Sequence, residues 1–244
     1  MSAPASAIPL LCITAHPDDE AANFGGTVAL YASRGIAAHL VCLTSGEAAR
    51  NRGGARDNPA LQALRRAELA ASCAILGFAS HEIWDYPDAA LPQAPFYPIV
   101  GRVIGVIRRL RPEIILSMGP EGSVTAHPDH ATAGVVATAA FHWAAHERYF
   151  PELNLPPHQA RRLWYSTAAA QPPGFPPVWL PAPDVAVPAE PYLERKIAAF
   201  RAHASQAPLF ERVEQVLRLT GGRELFHLAA GMPLAEASND LMAP

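Results

Sequence analysis

Short apolar runs bounded by turn residues recur along the chain and alternate with longer stretches of helical periodicity, the pattern of βα units that build a mostly parallel sheet. Strands are predicted at Leu10–Thr14, Ala38–Thr44, Glu82–Trp84, Ile114–Met118 and Arg162–Ser166. Helices are predicted near Phe24–Ser33, Ala60–Leu76, Tyr97–Arg109, Ala131–His146 and Glu190–Ala204. Gly35 and Gly77 follow the first two helices, where a residue that accepts left-handed backbone angles is favoured. The fold class this implies is α/β: a Rossmann-like, mostly parallel sheet with helices on both faces.

With 244 residues the chain is expected to form one domain over 1–244, large enough to bury a substantial core. The stretch 151–191 is dense in proline (LNLPPH, QPPGFPPVWLPAP), which suits an irregular, rigid covering segment inside that domain, either walling a pocket or serving as a plain connection.

Half the residues are apolar, 17% are charged and the net charge is −3, which argues against a disordered chain and a dedicated nucleic-acid binder. The longest apolar helical stretch, ATAGVVATAAFHWAAH, is too short to cross a bilayer, so no membrane insertion is expected. MSAPASAIP lacks the basic start of a secretory leader. Cys12, Cys42 and Cys73 are odd in number and without metal-type spacing; they read as buried, inert thiols in a reducing compartment. A cytoplasmic protein with small-molecule partners follows, and a homo-oligomer is left open. Lys196, the only lysine, lies in YLERKIAAF, which reads as a solvated helix face.

The chemistry concentrates in two motifs. AHPDDE, Ala15–Glu20, follows the first strand, and GPEGSVTAHPDH, ending at His130, follows the fourth. In open α/β sheets the loops beyond strand carboxyl ends converge on the ligand. Residues three apart in a helical turn project to one side, so His16 pairs with Asp19 and His127 with His130. Pro17 and Pro128 suit the first helical position and stiffen each motif. Two histidines and a carboxylate are a ligand set for catalytic zinc, with one position left for water. His16, Asp19 and His130 are assigned to a single Zn²⁺, although Fe²⁺, Co²⁺ or Mn²⁺ would also suit such a set. Asp18 and His127 remain free as general base and oxyanion stabiliser. Taken singly, each His-Pro-Asp is more simply a helix-capping turn; the occurrence of two, after two strands, favours the metal reading. Asp129 is expected to support a ligand or cap a helix, outside the ligand set.

AHPDDE, FGGTVALYASRG, VCLTSGEA, RRAELAASCAILGF, DYPDAAL and HPDH together resemble the LmbE-like, or PIG-L, N-acetylglucosaminyl deacetylases, from about Leu10 to His146, with an echo at RAHASQ. The resemblance implies a zinc site on a Rossmann-like fold that removes acetate from an N-acetylglucosamine-containing conjugate. It carries His16, Asp19 and His130 over as zinc ligands, Asp18 as base and a protonated His127 as oxyanion stabiliser. It further implies Arg65 as a substrate contact and Asp88 at the border of the sugar pocket. Ala89 and Ala126 stand where the family often has glycine. His203, Ser205 and Gln206 match a family pattern near the C-terminal end, but the sequence gives them no role beyond a satisfied helix-end histidine.

Two other readings are compatible with these residues: an amidase acting on a non-sugar N-acyl group, and a metal-binding module without turnover. The uncoordinated Asp18 disfavours the latter. A dinucleotide-binding enzyme is excluded by the acidic loop after the first strand, where GxGxxG would be needed.

Overall fold

LLCIT and IILSM carry no polar alternation because both faces of these strands are covered, and in the computed structural model every residue of both is buried. The structure describes residues 9–171, 174, 175 and 177–244. Its strands are β1 (Leu10–Thr14), β2 (Ala38–Thr44), β3 (Ser80–Tyr86), β4 (Ile114–Met118), β5 (Arg162–Thr167), β6 (Val185–Val187) and β7 (Glu224–Gly231). Its α-helices are α1 (Asp19–Ser33), α2 (Asn58–Leu76), α3 (Phe96–Leu110), α4 (Pro128–Trp143), α5 (Leu193–Arg201) and α6 (Phe210–Leu219).

The seven strands run in the order β3-β2-β1-β4-β5-β7-β6. All pairs from β3 to β5 are parallel, and β7 is antiparallel to both β5 and β6. The chain steps from β1 outward to β3, then crosses back to β4 on the other side of β1. Right-handed crossovers therefore place α1 and α2 on one face and α3 and α4 on the other. The packing agrees: α1 lies against α2 and α5, and α3 against α4. The direction of winding reverses between β1 and β4, leaving a crevice beyond their carboxyl ends. Both histidine motifs open into it.

Gly35 and Gly77 adopt φ of 78° and 90°, as their places after α1 and α2 require. Three elements go beyond the prediction. β6 is a three-residue strand among prolines. α6 is amphipathic but set between turns. β7 is masked because its buried face carries a charge: Glu224 is 4% exposed and accepts from Lys196 Nζ at 2.5 Å and from the Gly26 and Thr27 amides at 2.8 and 2.7 Å. Lys196 is accordingly buried rather than solvated, because its ammonium neutralises this carboxylate beneath α1.

The proline-rich stretch 151–191 contributes β5 to the sheet interior and β6 to its edge. Pro172, Pro173 and Pro176 of that stretch, like residues 1–8, lie outside the described residues. Gln171 Nε2 donates to Val124 O, which ties the stretch to the loop before the second motif. The three cysteines are free and buried. No helix among the described residues is long and apolar enough to cross a membrane.

Candidate active site

β1 delivers His16 two residues past its end, and the chain then makes a tight turn before α1 starts at Asp19. That turn is unusual: Asp18 takes φ 98° and ψ −25°, a left-handed conformation that costs a non-glycine residue about 1–3 kcal/mol. Pro17 therefore precedes the helix by a full turn residue rather than starting it. Asp19 folds back so that its Oδ2 accepts from the His16 amide at 2.8 Å. Pro128 does begin α4, as predicted, with His127 as the capping residue.

The two motifs meet. His16 Nδ1 lies 3.2 Å from His130 Nε2, His130 Nε2 lies 3.1 Å from Asp19 Oδ1, and His16 Nδ1 lies 3.6 Å from Asp19 Oδ2. Tetrahedral zinc with bonds of about 2.0–2.1 Å holds its ligand atoms about 3.3 Å apart, close to these separations, with the two histidines facing different oxygens of the Asp19 carboxylate. The outer nitrogens are held from behind. His16 Nε2 is 3.1 Å from Asp129 Oδ2 and 3.1 Å from Asp88 Oδ1, and His130 Nδ1 is 3.0 Å from Thr125 Oγ1. A carboxylate behind an imidazole fixes its tautomer and leaves the other nitrogen as the metal donor.

Two other groupings bring potential donor atoms within 4.8 Å of one another: His16 with His127 and His130, and His16 with Asp88 and Asp129. Their remaining members already have partners. Asp129 is fully buried and accepts from the Ala89 and Leu91 amides at 2.8 and 3.2 Å. Asp88 Oδ2 accepts from the Ala48 amide at 2.8 Å. His127 Nδ1 accepts from the Asp129 amide at 3.2 Å as the helix cap. Asp88, Asp129 and His127 are thus each engaged by a backbone amide, while Asp19 faces both His16 and His130.

The electrostatics favour a cation. Burial alone would lower His16, but Asp129, Asp19 and Asp88 outweigh it and hold the imidazole well above its ordinary value. Burial would raise Asp19, but His130 and His16 keep its carboxyl well below the usual range. Burial pushes Asp18 up to about 6, opposed by Arg65 and assisted by Asp19. His127 is lowered by burial first and then by its histidine neighbours. With Nδ1 engaged as an acceptor, a neutral His127 carries its proton on Nε2, so it can donate without the full positive charge predicted for it.

Arg65 and Asp88 both reach the first histidine motif. Arg65, 3% exposed, donates to Asp18 Oδ2 at 3.0 Å, to Gly46 O at 3.1 Å and to Pro17 O. It grips the turn that carries Asp18. Gly46 makes room for it: with φ 67°, a Cβ there would lie 2.2 Å from Arg65 Nη1. Asp88 faces His16 rather than open space. Ala89 and Ala126, where the family often has glycine, have φ of 62° and 50°, so both alanines occupy the left-handed region glycine prefers.

Several contributors carried no assignment in the sequence. Glu20, fully buried, accepts from the Asp18 amide at 2.9 Å and from His203 Nε2 at 2.7 Å. Glu68 accepts from the Ser205 amide and hydroxyl at 2.6 and 2.7 Å. Gln206 Nε2 donates to Asn51 O at 3.1 Å. The available signals were the unbroken acidic run Asp18-Asp19-Glu20 and the family pattern at His203, Ser205 and Gln206; partners 183 positions apart leave no trace in local spacing.

A Streptomyces avermitilis protein named 1D-myo-inositol 2-acetamido-2-deoxy-alpha-D-glucopyranoside deacetylase is 33% identical over 178 residues, which take in 64% of this chain and 60% of that one. The chain thus spans less than two thirds of that relative's length. A protein of the same name from a Nocardioides species is 28% identical, with 91% of this chain and 92% of that one covered. Among solved structures, GalB of Pseudomonas putida, titled a 4-carboxy-2-hydroxymuconate hydratase, superimposes with a TM-score of 0.75 at 25% identity, covering 94% of this chain and 99% of that one. The family model for PIG-L, GlcNAc-PI de-N-acetylase, matches residues 11–141. That span is more than half of the chain and holds both histidine motifs, and the chain belongs to the PIG-L family.

Proposed function

We propose that this chain is a zinc-dependent N-deacetylase that releases acetate and a free amine from a small N-acetylglucosamine-containing conjugate. The observation that carries the reading is the grouping of His16 Nδ1, Asp19 and His130 Nε2, with the half-buried carboxylate of the adjacent Asp18 held by Arg65 and left out of it. The curated relatives add the substrate class, since those named here act on an acetamido sugar joined to inositol.

Zinc held by these three residues would supply Lewis acidity, lowering the pKa of a water and polarising the acyl carbonyl. Asp18 takes the proton of the attacking water; burial has raised its basicity towards the working pH. His127 donates a hydrogen bond from its Nε2–H to the acyl oxygen as that oxygen gathers charge, and keeps the proton. Asp18 then passes its proton to the amine nitrogen as the C–N bond breaks. Arg65 and the Asp18 turn keep the carboxylate aimed throughout. The three buried free thiols support a reducing compartment such as the cytoplasm as the place where it works.

The test is acetate release by zinc-loaded protein from a panel of N-acetylglucosamine conjugates and simple N-acyl amines. Release from the sugar conjugates supports the reading, whereas release confined to simple amides points to a non-sugar amidase. The similarity to GalB motivates a second reading, in which the same base adds water to a carbon–carbon double bond. Loss of an unsaturated acid's ultraviolet absorbance without acetate release would favour it.

A further inference from the structure

His203, Ser205 and Gln206 lie far from the histidine motifs in sequence, yet they reach the proposed base through one buried side chain. Glu20 is fully buried and spends its two oxygens in opposite directions. Oε2 accepts from the Asp18 amide at 2.9 Å, and Oε1 accepts from His203 Nε2 at 2.7 Å and from Ser72 Oγ at 2.5 Å. His203 is itself fully buried, and among the described residues its Nδ1 has no partner and its ring makes one side-chain hydrogen bond, the one to Glu20.

The peptide that Glu20 holds is the one that needs holding. Asp18 has φ 98° without being glycine, and a conformation of that kind persists only where its surroundings over-determine it. Its carboxylate is tied on one side by Arg65 at 3.0 Å, and its carbonyl accepts from the Ala22 amide at 3.0 Å. Among the described residues the Asp18 N–H is tied by Glu20, while the carbonyl of the same peptide, Pro17 O, accepts from Arg65, so Glu20 supplies the second of that peptide's two holds. If that amide is released, the turn can relax towards negative φ, and the direction of the Asp18 Cα–Cβ bond changes with it.

The segment carrying His203 is anchored on the same helix as Arg65. Ser205 binds Glu68, three residues after Arg65 on α2, and Gln206 holds the loop at Asn51. Both grips on Asp18, by Arg65 at its carboxylate and by Glu20 at its amide, are therefore referred to α2 and the residues clamped on it.

We propose that His203 and Glu20 are positioning residues for the reaction: His203 fixes Glu20, Glu20 fixes the Asp18 amide in its left-handed turn, and the turn aims the Asp18 carboxylate at the attacking water. The inference rests on the reading of Asp18 as the base. It gives the C-terminal histidine a function beyond filling a helix end.

The test compares two variants of similar polarity and size. In His203→Gln the side-chain amide reaches as far as Nε2 and keeps a donor for Glu20; in His203→Asn it falls short. With the zinc-loaded protein, His203→Asn is expected to lower kcat by about 10- to 100-fold while KM and bound zinc stay within about twofold, the pattern of a misaimed group. His203→Gln is expected to stay within about threefold of the unaltered protein. Equal effects of the two variants, or a kcat that falls in step with zinc content, would overturn the proposal. Crystal structures of His203→Asn and Glu20→Ala supply a readout independent of substrate. Relaxation of Asp18 from positive φ in both supports the proposal, and an unchanged turn overturns it. If the unaltered protein releases no acetate from any substrate, it is the deacetylase reading that fails, and the Asp18 turn still decides the inference.

Discussion

Asp129→Asn isolates what the carboxylate behind His16 contributes. Asp129 Oδ2 receives two hydrogen bonds, from His16 Nε2 at 3.1 Å and the Ala89 amide at 2.8 Å, and Oδ1 receives one, from the Leu91 amide at 3.2 Å. An asparagine keeps only one accepting side. Its best placement leaves the oxygen towards His16 and Ala89 and turns the NH₂ group towards the Leu91 N–H, so two donors face each other in a fully buried spot. One unmade buried hydrogen bond costs about 1–3 kcal/mol, which should appear as lower stability of the metal-free protein. The imidazole also loses one of the two carboxylates at Nε2 that make Nδ1 a better donor, keeping Asp88. Loss of such a partner lowers metal affinity by about 10- to 100-fold, equivalent to about 1.4–2.8 kcal/mol. Competition against a chromophoric chelator at fixed pH measures the ratio directly, with Asp19→Asn as a variant that loses a proposed ligand. Zinc affinity unchanged in Asp129→Asn would refute the assignment of Nδ1 as the metal-facing nitrogen. A loss as large as that of Asp19→Asn would place Asp129 among the ligands instead.

Three further outcomes follow from the packing. Lys196→Met leaves the Glu224 carboxylate buried without its cation and should destabilise the fold by about 3–5 kcal/mol in urea denaturation, with Glu224→Gln in the same chain recovering part of the loss. A loss under about 1 kcal/mol would mean that the Gly26 and Thr27 amides satisfy Glu224 alone. Ala126→Gly relieves a left-handed alanine at φ 50°, a strain of about 1–2 kcal/mol, against about 0.5–1 kcal/mol of extra backbone entropy. The net expectation is a gain of up to about 1 kcal/mol, and a clear loss of stability would contradict it. Gly46→Ala drives a methyl into the Arg65 guanidinium; kcat should fall about tenfold or more with zinc content retained, and an unchanged kcat would mean that Arg65 does not position Asp18.

Much of this architecture is legible along the chain, for identifiable reasons. β1, β2 and β4 have their predicted ends because each is an apolar run cut off by a turn. Both histidine motifs sit beyond strand ends at the reversal of winding, where the alternation of strands and helices puts them. Other features depend on partners distant in sequence. β7 and Lys196 are misread locally because each hides a buried charge that only the other neutralises. The left-handed turn at Asp18 has no glycine to announce it; it is imposed by Arg65 on α2 and by Glu20, which His203 holds. Asp129 reads as a supporting or capping carboxylate and Asp88 as one bordering the sugar pocket, and only the fold brings both onto the same nitrogen of His16.

The central claim is that Asp18, held beside a metal triangle and outside it, is the base of an acetamide hydrolysis. The most direct measurement is acetate release from an N-acetylglucosamine–inositol conjugate by the zinc-loaded protein and by Asp18→Asn, with zinc content determined on both samples. The expected result is release by the unaltered protein and a rate about 10²- to 10⁴-fold lower in the variant at equal zinc content. Equal rates in the two proteins would contradict the account.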